Sequence, residues 1–248
     1  MSFADLFSEN ADRYASARPR YPDQLFAFVA SQAPSRERAW DCGTGNGQAA
    51  ISLAEHFAEV CASDPSQDQI SQALARPNVV YSVQRAEHTT FPAQHFDAIC
   101  VAQALHWFDF APFFAEVTRL AKPRAIFAAW GYSWPSVTPR FDAVFRSALL
   151  SAIEPYWAPQ NRLLWNGYAE VPFPFRPIPT PEFQIEVSWT FSQFMAYVAT
   201  WSATRACSAA RGAAFLHDAV AVLQPVWGIP DEARTIRMPL VLRAGHVA

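Results

Sequence analysis

Residues 39–50, AWDCGTGNGQAA, place three glycines at alternate positions directly after an apolar, strand-like run. Glycine accepts positive φ and lets a ligand approach the backbone closely, and the start of the helix-like run that follows offers free N–H groups. A strand, a glycine-rich turn and a helix in this order form a site for the polar part of a nucleotide-like ligand. The fold must therefore place this turn at the end of a buried strand.

Apolar runs and helix-like segments alternate through the first 130 residues. Helices are predicted at 48–57 and 110–121, and buried strands at 38–42, 60–64, 79–85, 96–102 and 125–130. This alternation predicts an α/β fold with a doubly wound, mostly parallel sheet and helices on both faces. Such sheets bind ligands at the carboxyl ends of their strands, which is where the glycine turn lies.

The pattern becomes irregular beyond Trp130. Residues 141–165 are helix-like, and VPFPFRPIPTPEF at 171–183 carries five prolines, which predict an extended surface connection. Further strands are predicted at 184–190 and 237–247, with helices at 192–201 and 213–223. We interpret 1–248 as one domain, made of an N-terminal helical cover (1–35), a cofactor-binding core (36–131), a helical cap inserted after the fifth strand (131–180) and the completion of a seven-stranded sheet (181–248).

Composition excludes several classes of function. The net charge is −3 and lysines and arginines form no run, so the basic face that nucleic acid requires is not expected. No pair among the four cysteines has CxxC spacing, and no histidines stand at ligand spacing, so we expect no metal. The chain shows neither a signal peptide nor an apolar run long enough for a membrane span. We therefore expect a soluble, cytoplasmic protein.

The spacing of the glycines separates the candidate cofactors. A dinucleotide fingerprint needs Gly-x-Gly-x-x-Gly/Ala, but counting from Gly43 puts Gln48 in the sixth position. The phosphate-binding loop of NTPases is excluded because no Gly-Lys-Ser/Thr follows. Asp41, two residues ahead of the first glycine, is unsuited to a pyrophosphate but suits a ligand with an ammonium group.

The motif Asp41-x-Gly43-x-Gly45-x-Gly47 resembles the first motif of Rossmann-fold S-adenosylmethionine-dependent methyltransferases. The resemblance implies that the turn packs on the amino-acid part of this cofactor, while Asp41 acts on its ammonium group directly or through water. It gives further cofactor-binding roles to residues at the ends of the next three strands: Asp64 for the ribose hydroxyls, Ala86 for the adenine ring, Glu87 for the adenine edge and Gln103 for the methionine portion.

Other stretches resemble the type 11 branch that includes trans-aconitate methyltransferase, namely ADRYASARPRYP (11–22), AQALHWFD (102–109), TWSATRA (200–206) and MPLVLRAGH (238–246). In that branch the N-terminal segment folds over the cofactor. The resemblance therefore implies that Tyr14 and Arg18 bind the cofactor and that Arg13 binds the methyl acceptor. The chain departs from the family at 122–125, where Lys-Pro-Arg-Ala replaces the usual Lys-Pro-Gly-Gly, and this departure bears on the local turn.

The methyl acceptor is expected near His106 and Trp107, which follow the fourth strand, with Trp134 in the cap as a further contact. His106 is the candidate catalytic residue, as a base or as a donor that orients the acceptor. The alternative is that His106 and Trp107 are a packed aromatic pair. Asp64 could likewise be a helix cap before Pro65, and Glu87 could be an ordinary surface acid.

These observations predict methyl transfer from S-adenosylmethionine to a small molecule. A carboxylate acceptor is ionised at neutral pH and needs no base. Three alternatives remain open: a cofactor-binding protein without catalytic activity, an NAD(P) oxidoreductase, and a methyltransferase that acts on a macromolecule. The sequence leaves the acceptor and the oligomeric state undetermined.

Overall fold

The computed structural model describes residues 19–212 and 214–247. Its strands are β1 (Arg38–Cys42), β2 (Glu59–Asp64), β3 (Val79–Val83), β4 (Phe96–Ala102), β5 (Ala121–Tyr132), β6 (Arg176–Pro177), β7 (Phe183–Trp189) and β8 (Arg234–His246). Its α-helices are α1 (Asp23–Gln32), α2 (Gln48–Leu53), α3 (Gln67–Ser71), α4 (Phe110–Leu120), α5 (Pro139–Phe145), α6 (Ser151–Ile153), α7 (Asn161–Trp165), α8 (Phe191–Ala199), α9 (Ser202–Arg211) and α10 (Ala214–Trp227). A π-helical stretch, Arg146–Leu150, joins α5 to α6, and short 3₁₀ turns lie at Leu105–Trp107 and Glu154–Tyr156.

The strands form one sheet in the order β3-β2-β1-β4-β5-β8-β6, with β7 paired to β8. Strands β1 to β5 are parallel to their neighbours, and β8 runs antiparallel to β5 and β6. The predicted α/β fold with a mostly parallel sheet is confirmed. The sheet has eight strands where seven were expected, and β6 is only two residues long. The strand order reverses at β1, so its carboxyl end is the switch point where such sheets bind ligands.

Helices cover both faces of the sheet, as predicted. Successive side chains of a strand point to opposite faces, so Phe127 and Trp130 of β5 lie on different sides. Phe127 meets Phe113 of α4, with ring centroids 6.0 Å apart. Trp130 meets Phe26 of α1 at 5.8 Å. All four side chains are buried, and they form part of the apolar core on the two sides of the sheet.

The described residues divide into two compact units. One contains 19–20, Trp134–Asn161 and 185–238 apart from 213, and the other contains Tyr21–Ser133, Arg162–Gln184 and 239–247. The predicted single cap at 131–180 does not match this division, because 162–184 group with the sheet unit. The prediction of one domain stays a prediction.

The proline-rich stretch runs along the surface with its prolines exposed, as predicted, but two of its apolar side chains are buried. Val171 and Phe175 belong to the buried core of the sheet unit, at 2% and 6% exposure, and Arg176–Pro177 pairs with β8. The prolines exclude a central strand, as their missing N–H requires. The density of prolines gave no sign that Val171 and Phe175 are buried.

Residues 122–125, at the start of β5, include one positive φ although the usual glycines are absent. Arg124 adopts φ 65°, a conformation that glycine takes at lower cost. Lys122 fixes the segment beside the sheet, because its Nζ lies 2.7 Å from Glu37 Oε2 and 3.0 Å from Asp97 Oδ1. These contacts lie in the scaffold, and an effect of the departure on local geometry stays a prediction.

A buried carboxylate on α4 makes the stability of the fold depend on pH. Glu116 accepts hydrogen bonds from Thr89 N and Oγ1 at 2.8 and 2.7 Å and from Arg119 Nη2 at 2.7 Å. Burial alone would raise the pKa of Glu116, but these bonds lower it to about 2. A lowered folded pKa means that Glu116 stabilises the fold above its unfolded pKa of about 4.5, and that this contribution is lost as the pH falls through about 2.

We expect Glu116→Gln to lower the free energy of unfolding by about 1–2 kcal/mol at neutral pH, since Arg119 is 40% exposed and solvent weakens the pair. The difference from wild type should shrink between pH 4.5 and pH 2. Urea unfolding at several pH values measures it. Glu186→Gln is the control, because it removes a half-exposed ion pair with Arg237 and should cost little. A loss of unfolding free energy in Glu116→Gln that does not change with pH would contradict the lowered pKa of Glu116.

Candidate functional site

The glycine turn joins β1 to α2 at the switch point of the sheet. Gly43, Gly45 and Gly47 have φ values of 71°, 56° and 88°, so all three use the left-handed region that other residues rarely adopt. The N–H groups of Gly43 and Thr44 both donate to Ser63 O at the end of β2, at 2.8 and 3.0 Å. The alternate spacing of the glycines thus reflects three backbone positions that need positive φ.

The three glycines differ in what surrounds them. A Cβ on Gly43 would stand 2.7 Å from Ala104 Cβ, and one on Gly47 would overlap the phenol of Tyr81. A Cβ on Gly45 would meet only Gln69 Oε1, at 3.5 Å. Gly43 and Gly47 therefore serve close packing inside the unit, whereas Gly45 leaves its side of the turn open to a ligand.

Asp64 ends β2 beside this turn. Its Oδ2 accepts from Gly45 N and its Oδ1 from Ser66 N, each at 2.9 Å. A carboxylate has about four acceptor positions, so each oxygen keeps one for a ligand hydroxyl. The alternative role as a helix cap is wrong, because the N-cap of α3 is Ser66, whose Oγ accepts from Gln69 N.

Asp41 is fully buried beneath the turn. Its Oδ2 accepts from Thr44 Oγ1 at 2.6 Å, while Oδ1 has no hydrogen-bond partner in the described part of the chain. Burial raises the pKa of Asp41 to about 6, and the Thr44 hydroxyl and the Ala50 N–H oppose the rise. Asp41 is therefore mostly ionised at neutral pH and has one carboxylate oxygen without a donor, which is costly unless a ligand or water supplies one.

Ala86 and Glu87 lie in a tight turn after β3. Ala86 is buried in the core, at 5% exposure. Glu87 Oε1 accepts from Asp109 N at 3.2 Å, and its Oε2 lies 3.4 Å from Arg85 Nε. Only 16% of the Glu87 side chain is exposed, so it is not an ordinary surface acid. The bond to Asp109, the N-cap residue of α4, fixes Glu87 to the loop that follows β4.

Gln103 links the ends of β4 and β5. Its Oε1 accepts from Tyr132 N at 2.8 Å and its Nε2 donates to Tyr132 O at 3.1 Å. Its φ of 58° is unusual for a residue other than glycine, and a Cβ on Gly131 would stand 2.7 Å from Gln103 Oε1. The side-chain amide is therefore engaged with the backbone of β5. A role at the methionine portion of the cofactor stays a prediction. It could use only the one remaining N–H and the second lone pair of the Gln103 amide.

His106 lies in the 3₁₀ turn after β4 and is 4% exposed. Its Nδ1 is 3.3 Å from the hydroxyl of Tyr168, a fully buried residue that the sequence did not single out. Burial lowers the pKa of His106 to about 4, so the imidazole is neutral at neutral pH. Trp107 is 54% exposed, but its ring centroid lies 4.9 Å from that of His106, so the two rings are in contact and the alternative of a packed aromatic pair stays open.

The hydroxyl of Tyr168 favours the tautomer of His106 that accepts at Nδ1. Burial raises the pKa of Tyr168, which keeps the phenol protonated. His106 Nδ1 is the only partner of this hydroxyl in the described part of the chain, so the phenol proton is satisfied only if it is donated to Nδ1. A neutral imidazole that accepts at Nδ1 carries its proton on Nε2. His106 is thereby a donor at Nε2.

Trp134 belongs to the unit that contains α5 and α9. Its ring centroid is 5.8 Å from those of Trp157 and Trp201, and Trp157 and Trp201 are 6.0 Å apart. We call these three side chains the tryptophan cluster. The other sequence-predicted residues, Arg13, Tyr14 and Arg18, lie outside the described residues.

Neither a metal site nor a disulfide occurs in the part of the chain that the structure describes. No group of three or more potential ligand side chains is found there, and the four cysteines are free and buried. The same residues include no helix with the length and apolar character needed to cross a membrane.

The open side of Gly45 and the unpartnered Asp41 Oδ1 suit the polar, ammonium-bearing end of S-adenosylmethionine.

Comparison with known proteins gives consistent matches. A family of methyltransferase domains matches residues 40–129. A protein assigned as a methyltransferase in Dictyostelium discoideum is 31% identical over 204 residues, which cover 81% of this chain and 78% of that protein. The structure of a protein described as a type II methyltransferase from Anaeromyxobacter dehalogenans is 40% identical, with a TM-score of 0.87 over 93% of this chain and 98% of that one. YcgJ from Bacillus subtilis, at 15% identity and a TM-score of 0.52, shares the fold.

Proposed function

Because the chain belongs to the S-adenosylmethionine-dependent methyltransferases, we propose that it methylates a small molecule through a carboxylate oxygen. Its cofactor is S-adenosylmethionine, which supplies an activated sulfonium methyl group when bound. The branch that includes trans-aconitate methyltransferase is part of this proposal, and so are a cytoplasmic location and the exclusion of nucleic acid as substrate. The net charge of −3 supports that exclusion.

The cofactor is held, in this proposal, by residues at the carboxyl ends of β1 and β2. Asp41 Oδ1 accepts from the ammonium group, directly or through water, since it has no other donor in the described structure. Gly45 provides the open stretch of backbone, and the two oxygens of Asp64 accept from the ribose hydroxyls. Ala86 and Glu87 border the adenine.

The choice of a carboxylate as acceptor rests on the pKa and the tautomer of His106. A general base works best when its pKa is near the working pH, and the pKa of His106 is about 4. Its Nε2 carries a proton in the tautomer that Tyr168 supports, so His106 can donate a hydrogen bond but cannot take a proton there. A hydroxyl or amine acceptor needs deprotonation, whereas a carboxylate is already ionised. A carboxylate acceptor is therefore the class that this residue suits best.

The chain's part in the reaction is then alignment and exclusion of water, which together can supply much of the rate enhancement. His106 orients the carboxylate through Nε2–H, and the exposed ring of Trp107 offers an apolar surface for the rest of the acceptor. Trp134 and Arg13 are further acceptor contacts in the proposal. His106 should add no inflection to the pH profile near 6.5, because its pKa is about 4. Cofactor binding should weaken as the pH falls through about 6, where Asp41 becomes protonated.

Calorimetric titration with S-adenosylhomocysteine tests the cofactor site, with NAD as the control. We expect micromolar binding of the first and none of the second. Transfer of tritiated methyl groups then tests the acceptor, using small carboxylic acids alongside small alcohols, amines and bulk RNA. Preferential labelling of RNA or of an amine would refute the proposed acceptor class without affecting the cofactor assignment.

We expect Tyr168→Phe to release His106 from one tautomer and to lower kcat about tenfold, the scale of one lost neutral hydrogen bond. The ¹⁵N shifts of the His106 ring should change from the Nε2–H pattern to a mixture, with affinity for S-adenosylhomocysteine unchanged. Tyr81→Phe is the matched control, because it also removes a hydroxyl, one that donates to Leu74 O at 2.8 Å. Unaltered ring shifts in Tyr168→Phe would show that Tyr168 does not position His106.

A further inference from the structure

Tyr168 has a backbone conformation that its neighbours must hold in place. It follows α7 with a φ of 56°, directly after Gly167 with a φ of 66°. Glycine takes this left-handed conformation at little cost, whereas a bulky residue keeps it only where the surrounding structure fixes it. The N–H of Tyr168 donates to Leu163 O at 2.7 Å, and its carbonyl accepts from Val171 N at 3.1 Å. Bonds on both sides therefore hold this peptide.

Arg243 of β8 reaches the same carbonyl from the sheet. Its Nη1 donates to Tyr168 O and to Val171 O, the second at 2.8 Å. Hydrogen bonds from a charged donor are stronger than those from a neutral one. The Arg243 guanidinium carbon lies 4.5 Å from the ring centroid of Phe173, and stacking of this kind holds the plane of the guanidinium. Arg243 therefore fastens residues 168–171 to β8.

The charge of Arg243 has no carboxylate partner in the part of the chain that the structure describes. Burial lowers the pKa of its guanidinium, which nevertheless stays protonated as arginine does in proteins. A partly buried cation is costly unless its donors are satisfied, and the two carbonyls and the Phe173 ring are what satisfies this one. An apolar side chain would pack on Phe173 without that cost. The charge at this position therefore serves the two carbonyls.

The phenol ring of Tyr168 connects this clamp to His106. The ring is rigid and fully buried, so the position of its hydroxyl follows the position of its backbone. That hydroxyl lies 3.3 Å from His106 Nδ1 and has no other partner among the described residues. A hydrogen bond at one imidazole nitrogen sets the proton on the other nitrogen and the orientation of the ring. Arg243, Tyr168 and His106 all belong to the same compact unit.

We propose that Arg243 is a positioning residue for His106 and acts through the carbonyl and the hydroxyl of Tyr168. This proposal rests on the proposed function, in which Nε2–H of His106 orients the carboxylate acceptor. Without the guanidinium, residues 168–171 are held less firmly and the bond to Nδ1 weakens. The acceptor is then oriented less well, which lowers kcat more than it lowers binding.

Arg243→Met removes the donors but keeps an unbranched side chain that packs well on an aromatic ring. We expect the ¹⁵N shifts of the His106 ring to change from the Nε2–H pattern to a mixture. With the carboxylic acid that wild type labels fastest, kcat should fall about three- to tenfold, the scale of one weakened or lost hydrogen bond. Affinity for S-adenosylhomocysteine should not change. Arg243→Lys keeps the charge but reaches less far, so both readouts should lie between wild type and Arg243→Met.

Arg237→Met is the matched control, because it removes another arginine of β8, one whose Nε lies 3.0 Å from Glu186 Oε2 in a half-exposed ion pair. It should leave the ring shifts and kcat unchanged. The double variant Tyr168→Phe/Arg243→Met separates positioning from general loosening of the fold. If Arg243 acts through the Tyr168 hydroxyl, this variant should match Tyr168→Phe in ring shifts and in kcat.

Thermal unfolding identifies the variants that fold. A wild-type Nε2–H pattern in whichever of Arg243→Met and Arg243→Lys folds would overturn the proposal. A double variant whose ring shifts or kcat differ from those of Tyr168→Phe would overturn it as well, because Arg243 would then act by another route. If wild type labels no carboxylic acid, the proposed function fails, whereas the ring shifts still decide whether Arg243 positions His106.

Discussion

Replacing Gly43 with alanine is expected to lower the free energy of unfolding by about 2–4 kcal/mol. Two costs combine at this position. The φ of 71° disfavours any side chain, and the new Cβ would stand 2.7 Å from Ala104 Cβ and 3.1 Å from Phe108 Cζ. Ala104 cannot move its Cβ without moving the backbone after β4, so the overlap cannot be relieved by a change of rotamer.

Gly167→Ala is the matched control, since it has φ 66° and only Val241 Cγ1, at 3.9 Å, near the added Cβ. It isolates the cost of positive φ, which we expect to be about 1 kcal/mol. Urea unfolding of both variants measures the difference. Gly45→Ala should resemble Gly167→Ala in stability, because it meets only Gln69 Oε1 at 3.5 Å, yet it should weaken S-adenosylhomocysteine binding. Equal losses in Gly43→Ala and Gly167→Ala would show that Ala104 does not constrain the turn.

The parallel part of the sheet could be predicted closely from sequence because its signals are local. The predicted bounds of β1 and β4 agree with the structure, and β2 differs by one residue. Each is a run of apolar residues, buried on both faces, that ends in a polar residue or a turn. Strand β5 was predicted too short, because Pro123 and Arg124 interrupt the apolar pattern while the chain still pairs with β4 from Ala121 onward.

Roles that depend on a distant partner could not be predicted in this way. Tyr168 meets His106 across 62 positions of sequence, and nothing in its local composition indicates the contact. Gln103 was predicted beside the cofactor because of its place after β4. Its amide instead bonds to the backbone of Tyr132 at the end of β5. Motif position predicts which strand end a residue occupies, but the direction and partners of its side chain depend on the neighbouring strand.

Helix α9 was missed altogether, because the predicted helices at 192–201 and 213–223 leave its residues between them. In the structure α8 ends at Ala199 and α9 begins at Ser202, with Trp201 at the N-cap position. The hydroxyl of Thr200 donates to Tyr197 O at 2.7 Å and so closes α8. Neither glycine nor proline marks this two-residue break, so the sequence pattern did not show it.

Replacing Asp64 with alanine is expected to weaken binding of S-adenosylhomocysteine by about 10- to 100-fold, or about 1.4–2.7 kcal/mol. The carboxylate has two tasks in the proposed site. It accepts from Gly45 N and Ser66 N at 2.9 Å, which shapes the turn, and its remaining acceptor positions bind the ribose hydroxyls. Asp64→Asn keeps only one acceptor oxygen and no charge, so it should fall between wild type and Asp64→Ala.

Asp68→Ala controls for charge, because it removes one exposed carboxylate from the first turn of α3, the helix that follows Asp64. Calorimetry should find wild-type affinity in this variant. Thermal unfolding without ligand separates damage to the turn from the loss of ribose contacts. If Asp64→Ala unfolds like wild type yet binds weakly, the lost ribose contacts account for the weaker binding. If stability and affinity fall together, the lost bond from Gly45 N accounts for it. Wild-type affinity in Asp64→Ala would remove Asp64 from the cofactor site altogether.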